Sequence, residues 1–176
     1  MILVTGGTGF IGTHLLEALS AAGEPVRALV RRARAPRVLP AGVEAVYGDL
    51  AAPSGIDEAL AGVDTVIHLA GVTKALRTSD YYSGNVTATE NLARAIGTRP
   101  IRLVHASSLA AMGPSTAGHP LSEEATPHPV SHYGKSKLEA ERAVRRLVPS
   151  AVIVRPPVVY GPLRRVALTE CVSLCD

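Results

Sequence analysis

The sequence predicts a doubly wound α/β fold, a parallel sheet layered between helices on both faces. Three observations predict it. Short runs rich in Val, Ile and Leu recur along the chain, as strands buried on both faces require. Between them fall segments with apolar residues at helical spacing. The first run passes directly into a glycine-rich turn that opens a helix. Strands alternating with helices imply right-handed parallel crossovers.

The elements follow in order. Strands are expected over residues 1–5, 25–30, 43–47, 65–69, 102–106 and 151–155, and helices over 10–22, 55–61, 82–96 and 132–147. Residues 113–131 are rich in Pro, Ser, Thr and Gly and read as one long loop beside the site. There is no internal repeat and no low-complexity segment. Residues 1–165 are read as one dinucleotide-binding domain, and 166–176, which do not continue the alternation, as an atypical tail.

Bulk composition bounds the function. A chain of 176 residues holds one domain with a proper core. Hydrophobic residues make up 47%, mostly small aliphatics, with one Phe and no Trp. A net charge of +3, without aromatic platforms or a basic amphipathic helix, does not indicate nucleic acid or a membrane surface. Arg31, Arg32, Arg34 and Arg37 form one local basic group. Cys171 and Cys175 are spaced poorly for a disulfide framework or a zinc site, and no metal is expected. No apolar run approaches the ~20 residues of a membrane helix. With a strand at the very start, no signal peptide is expected and the chain reads as cytoplasmic.

The first turn carries chemistry. Gly6, Gly9 and Gly12 are spaced three apart after a strand, with Gly7 as an extra. A tight turn needs tolerance of positive φ, and a pyrophosphate can approach only where no Cβ intervenes. The helix that begins near Phe10 and Ile11 would offer N–H groups and a positive dipole end to phosphate oxygens. The second strand runs into Arg31 and Arg32, where the dinucleotide fingerprint would have an acidic residue. A guanidinium fork suits a 2′-phosphate, so NADP is preferred over NAD. After the third strand, Asp49-Leu50 is expected to meet the adenine; a turn by Asp49 with Ser54 capping the next helix is the alternative. The fourth strand ends in His68-Leu-Ala-Gly71, where Leu69, Ala70 and Gly71 are expected to border the cofactor and Ala70 and Gly71 would let the ribose pass close to the backbone. His68 itself reads as a packed strand residue.

Tyr133 and Lys137 lie one turn apart on the 132–147 helix, facing the same way. A phenol titrates near ~10, and acting as a base near neutrality needs a lowering of about 3 pH units, roughly 4 kcal/mol. The ammonium of Lys137 is expected to supply part of that, as would the positive ring of an oxidised nicotinamide. The lysine can also hydrogen-bond the nicotinamide ribose. The fifth strand ends in His105-Ala-Ser-Ser108, so Ser108 can orient the reacting carbonyl or alcohol.

Together these residues make the chain resemble the extended short-chain dehydrogenase/reductase family, the NAD(P)-dependent epimerase/dehydratase group of Rossmann-type enzymes. The resemblance rests on Thr5-Gly-Gly-Thr-Gly-Phe-Ile-Gly12, Gly48-Asp-Leu50, His68-Leu-Ala-Gly71, Asn85-Val86 with Thr89-Glu-Asn-Leu92, Ser107-Ser108, Tyr133-Gly-Lys-Ser-Lys137 and Arg155-Pro-Pro-Val-Val-Tyr-Gly-Pro162, in the family's order, over residues 1–162. It implies Tyr133 as acid/base, Lys137 as its partner and Ser108, rather than Ser107, as third member. It places Pro156 against the nicotinamide and gives Asn85 a structural or water-relay role. It implies hydride transfer between nicotinamide and a secondary alcohol or ketone, for instance in a sugar nucleotide, and a homodimer.

Family members continue well beyond this length, so the substrate subdomain is expected to be largely missing and the chain to be truncated. A nucleotide-binding sensor or inactive fragment without turnover is the alternative.

Overall fold

A computed structural model describes residues 1–32, 39–116 and 118–162. Arg34, Arg37, both cysteines and the 166–176 tail lie outside the described residues. Six strands form one parallel sheet: β1 (Ile2–Thr5), β2 (Val26–Val30), β3 (Glu44–Tyr47), β4 (Thr65–His68), β5 (Arg102–Ala106) and β6 (Val152–Val154). Their spatial order is β3-β2-β1-β4-β5-β6. The chain winds outward from β1 to β3, returns to the centre at β4, and winds the other way. That reversal opens a crevice at the carboxyl ends of β1 and β4.

The register shows what meets at this edge. Thr5 pairs with His68, His68 with His105, and His105 with Ile153. The turn after β1, the segment after β4 and the Ser107-Ser108 pair after β5 therefore share one rim.

The helices are α1 (Phe10–Ala21), α2 (Ile56–Leu60), α3 (Thr78–Tyr81), α4 (Ala88–Ile96) and α5 (His132–Leu147). One face of the sheet packs on α2, α4 and α5 through Leu3, Leu29, Val66, Leu92, Ile96, Leu103 and Val144. The other packs on α1 through Val4, Leu16, Val26, Ala28 and Val30. Most expected strands are a residue or two longer than the observed ones, the usual uncertainty at element ends.

One expectation and part of one alternative are corrected. The helix expected from residue 82 begins at Thr78, and α3 joins α4 through a π-helical turn over Tyr82–Thr87. The first turn buries no residue, so it carries no apolar periodicity to read. The helix at Ile56 is not capped by Ser54. Gly55 takes the cap position in the left-handed conformation, φ 69°, and Ser54 instead pairs with Asp49 in a short bridge. Among the described residues no helix is long and apolar enough to cross a membrane.

Candidate active site

The turn after β1 is built by close backbone contact. Gly6 has φ 72°, and a Cβ there would stand 2.6 Å from the amide nitrogen of Ala70. A Cβ on Gly12 would collide with the Gly6 carbonyl. Gly9 closes the turn by donating to the Gly6 carbonyl at 2.9 Å. Gly9 is also the N-cap of α1, and no side chain caps that terminus. The N–H groups of Phe10, Ile11 and Gly12 thus open a helix whose positive end faces the crevice. This cradle fits a pyrophosphate: small residues, backbone donors and no competing carboxylate in the first turn.

The neighbouring strand is pinned beside it. The Thr5 hydroxyl lies 2.6 Å from His68 Nδ1, and His68 Nε2 lies 2.9 Å from the Thr89 hydroxyl. Thr89 donates in turn to the Asn85 carbonyl at 2.5 Å. That direction fixes the tautomer: Nε2–H donates to Thr89 and Nδ1 accepts from Thr5. Burial holds the His68 imidazole neutral, its pKa lowered to about 3. His68 is a packed strand residue, as the sequence indicated.

Asn85 joins two elements from within the π turn. Its amide accepts from Val72 N at 2.7 Å, and donates to Val72 O at 3.0 Å and to Ser136 Oγ at 2.9 Å. Such π turns cluster at functional sites. Here the turn aims Asn85 into the gap between the β4 exit and α5. Gly71 lies against this joint; a Cβ on it would stand 4.0 Å from the Lys137 ammonium nitrogen.

Helix α5 starts at a sequence-readable cap, with Ser131 Oγ accepting from Gly134 N at 3.0 Å. Any side chain on Gly134 would strike the Ala110 carbonyl. Its absence lets α5 press on the short 3-10 turn Leu109–Ala111, which Ser108 caps. Ser108 Oγ accepts from Ala110 N at 3.2 Å, leaving its own hydrogen for the Tyr133 phenol, to which it is hydrogen-bonded. Lys137, only 4% exposed, donates to the Ala106 carbonyl at 2.7 Å. Ser108, Tyr133 and Lys137 therefore converge where β5 meets α5. Pro156 is tied to the same place, its carbonyl accepting from Leu109 N at 3.0 Å.

The electrostatics correct one expectation. Tyr133 is not brought toward neutrality by the protein alone. Burial raises its pKa, the Ser108 hydrogen bond opposes that, and nearby Tyr81 adds to the rise. Desolvating a phenolate outweighs one hydroxyl donor. Lys137 responds as a buried cation, lowered to about 8 by desolvation against an upward pull from Glu141.

The adenine end is more open. Arg31 and Arg32 are exposed at the end of β2, and the Arg32 guanidinium lies 5.0 Å from the Tyr47 ring centre. Asp49 accepts from Ala51 N at 2.9 Å, which makes it a turn former. Leu50 turns its side chain into the core, and Asn91 holds its carbonyl at 2.7 Å. Leu69 and Ala70 line the exit of β4, half-buried.

The pairing of Ser107 with Glu141 was not anticipated from the sequence, where Ser107 was set aside in favour of Ser108 and Glu141 was given no role. Both are buried, and they share a hydrogen bond of 2.5 Å. The available signal was the spacing of Glu141, one turn beyond Lys137 on the same helix face.

Comparison with known proteins agrees with this architecture. Residues 2–170 match the NAD dependent epimerase/dehydratase family. The chain is 38% identical over 163 residues to the ceramide reductase of Caulobacter vibrioides, covering 92% of this chain and 47% of that protein. It is 34% identical over 151 residues to a UDP-glucose 4-epimerase of Azospirillum brasilense, covering 82% and 43%. Its fold matches the UDP-glucuronic acid 4-epimerase of Bacillus cereus, solved in complex with NAD, with a TM-score of 0.81 at 27% identity, over 93% of this chain and 58% of that one. The class is thus a parallel-sheet protein of nicotinamide-dinucleotide type. The chain belongs to the NAD-dependent epimerase/dehydratase family, and it spans about half the length of the curated relatives it matches.

Proposed function

We propose that this chain forms the cofactor-binding and proton-transferring half of an enzyme that moves hydride between a nicotinamide and a secondary alcohol or ketone carbon of a small molecule, a sugar nucleotide among the candidates. The observation that carries this reading is the Ser108–Tyr133 hydrogen bond beside the buried ammonium of Lys137, at the rim that also holds the glycine turn.

Each residue has a task. Phe10, Ile11 and Gly12 bind pyrophosphate oxygens through the opening turn of α1. Gly6, Gly9, Ala70 and Gly71 leave the path along the rim open with little or no side chain, Leu69 borders it, and Pro156 backs the nicotinamide end. Asp49 and Leu50 border the adenine. The bound dinucleotide supplies the hydride acceptor or donor and, when oxidised, a positive charge close to the phenol. Tyr133 takes the alcohol proton in oxidation and returns it in reduction. Ser108 donates to the substrate oxygen and fixes its direction. Lys137 offers a cation that favours the phenolate and can hold the ribose.

We further propose that NADP is preferred over NAD. Exposed Arg31 and Arg32 end β2, and the Tyr47 ring steadies Arg32 for a 2′-phosphate. By family membership we also propose a homodimer formed through the helices, and a cytoplasmic location.

A second reading is a nucleotide-binding sensor or fragment that binds without turnover. One experiment separates the two. NADPH and NADH are titrated by fluorescence, and turnover is then sought with a panel of ketones and sugar nucleotides. Turnover that Tyr133→Phe lowers by about 100-fold or more supports the enzyme. Binding without turnover across the panel supports the second reading, and no binding of either cofactor contradicts both.

A further inference from the structure

Glu141 has no part in the hydride and proton steps, yet it is the most enclosed carboxylate described. It is 1% exposed. Three donors meet it: Ser107 Oγ at 2.5 Å, Arg155 Nε at 2.8 Å and Arg155 Nη2 at 2.6 Å. They belong to two residues, Ser107 and Arg155, each of which leads directly to a wall of the site. Ser107 precedes Ser108 at the end of β5. Arg155 precedes Pro156 at the end of β6, and its Nη1 also reaches Met112 Sδ at 2.8 Å. Glu141 itself follows Lys137 by one turn of α5.

We propose that Glu141 is a positioning residue for the site: a single buried carboxylate that locks the β5 exit, the β6 exit and α5 together and supplies the negative charge that keeps Lys137 an ammonium ion. The consequence for catalysis rests on the role given above to Lys137; the electrostatic part does not.

Stability alone is a poor reason for such a group. A buried ion pair is commonly no better than apolar residues of the same volume, because desolvation offsets the attraction. Ser107 and Arg155 would need no carboxylate if the three positions were Ala, Leu and Met. A carboxylate is needed if its charge has a further target, and the surroundings of Lys137 identify one. Toward Lys137 face His68 on β4 and His105 on β5, both kept neutral by burial. Asn85 and Thr89, from the π turn and α4, carry no charge. Tyr133, on its own helix, is a neutral phenol pushed upward. Arg155 is paired with Glu141 at 2.6 Å, and of that pair it is the carboxylate that acts on Lys137, pulling its pKa upward. Glu141 is therefore the negative charge acting on the lysine, and it opposes the desolvation that brings Lys137 down to about 8. Without it, the buried amine would lose its proton near neutrality. A neutral amine neither favours a phenolate nor serves as the cation of the site.

The chain has three lysines, Lys74, Lys135 and Lys137, so lysine side chains labelled with 13C and 15N give a simple NMR titration. The resonance absent from Lys137→Met is assigned to Lys137. In the wild type its midpoint is expected near 8. In Glu141→Gln, shown to be folded by circular dichroism, the midpoint falls by about one pH unit or more. Ser107→Ala, which removes a hydrogen bond but no charge, leaves it near the wild-type value. That contrast excludes a merely structural role, since both changes disturb the same contacts. A midpoint unmoved or raised in folded Glu141→Gln overturns the proposal. Where Glu141→Gln does not fold, the wild-type carboxyl resonance of Glu141 decides. It must inflect at the Lys137 midpoint, and a flat trace across that range overturns the proposal equally. NADPH titration of the same samples is read separately: wild type that binds no cofactor contradicts the proposed function and leaves the Glu141–Lys137 coupling standing.

Discussion

His105 is the residue whose environment makes least sense by packing alone. It is fully buried, stacks on His68 with ring centres 5.2 Å apart, and no described group partners either ring nitrogen. Burial lowers the pKa of both imidazoles, that of His68 to about 3. Both are thus neutral when folded and free to protonate when unfolded, below about 6.5. The unfolded chain then binds more protons, so stability rises with pH in this window and is lost as pH falls from about 6.5 toward 3. Each histidine contributes a slope of about 1.4 kcal/mol per pH unit. His105→Phe removes one such slope and two unpartnered buried atoms. Urea unfolding should show it about 1 kcal/mol more stable at pH 7, and less sensitive to acid between pH 6 and 4. Equal sensitivity would contradict the neutral-pair account. At the other end of the crevice, Arg31→Ala should weaken NADPH binding by about tenfold and NADH binding far less, since a charge-assisted contact is worth about 1.5–3 kcal/mol. Equal losses would remove the preference for NADP. That Ser108, Tyr133 and Lys137 would converge was readable from residue type and spacing. The upward direction of the Tyr133 pKa was not, because it comes from burial and from Tyr81, contacts that only the folded chain defines.

Helix α5 shows how an element can carry a site. Ser131 at its N-cap and Gly134 in its first turn fix where Tyr133 stands relative to the turn that holds Ser108. Ser131→Ala should cost about 1 kcal/mol and fray this end first. Hydrogen exchange is the check: the Gly134 amide should exchange faster while amides near Val144 keep their protection. Uniform protection would mean that packing on Ala110, not the cap, holds the first turn. The bounds of α5 and β5 were legible in the sequence, since a cap and apolar spacing are local signals. The α3–α4 segment was legible only in part. Its π turn exists because Asn85 must reach both Val72 and Ser136, a long-range demand that spacing within 82–96 does not record. Of the network around Glu141, only the one-turn spacing from Lys137 was legible; Ser107 and Arg155 reach Glu141 only when β5, β6 and α5 pack.

At the scale of the molecule the two faces of the sheet are unequal. Helices α2, α4 and α5 cover one face, while α1 lies against β1 and β2 on the other. Val152 and Val154 are 56% and 46% exposed on the outermost strand, and an open groove at the amino ends of the strands is lined by Ile2, Leu19, Val104 and Val152 together with the charged Glu24, Asp64 and Arg102. An apolar edge strand of this kind invites association. Val152→Lys with Val154→Lys should suppress further association through this edge while leaving the proposed helix-mediated dimer and cofactor affinity unchanged; an identical concentration dependence of sedimentation would clear this face. The doubly wound parallel sheet was legible because it follows from element alternation and handedness; the strand order was not read from the sequence. The most direct measurement of the whole account is a structure of the chain with NADP bound. The account predicts the pyrophosphate on the amides of Phe10, Ile11 and Gly12, and the nicotinamide ring in contact with the Tyr133 hydroxyl, with the Lys137 ammonium at its ribose. A nicotinamide directed away from α5, with Tyr133 facing bulk solvent, would contradict it.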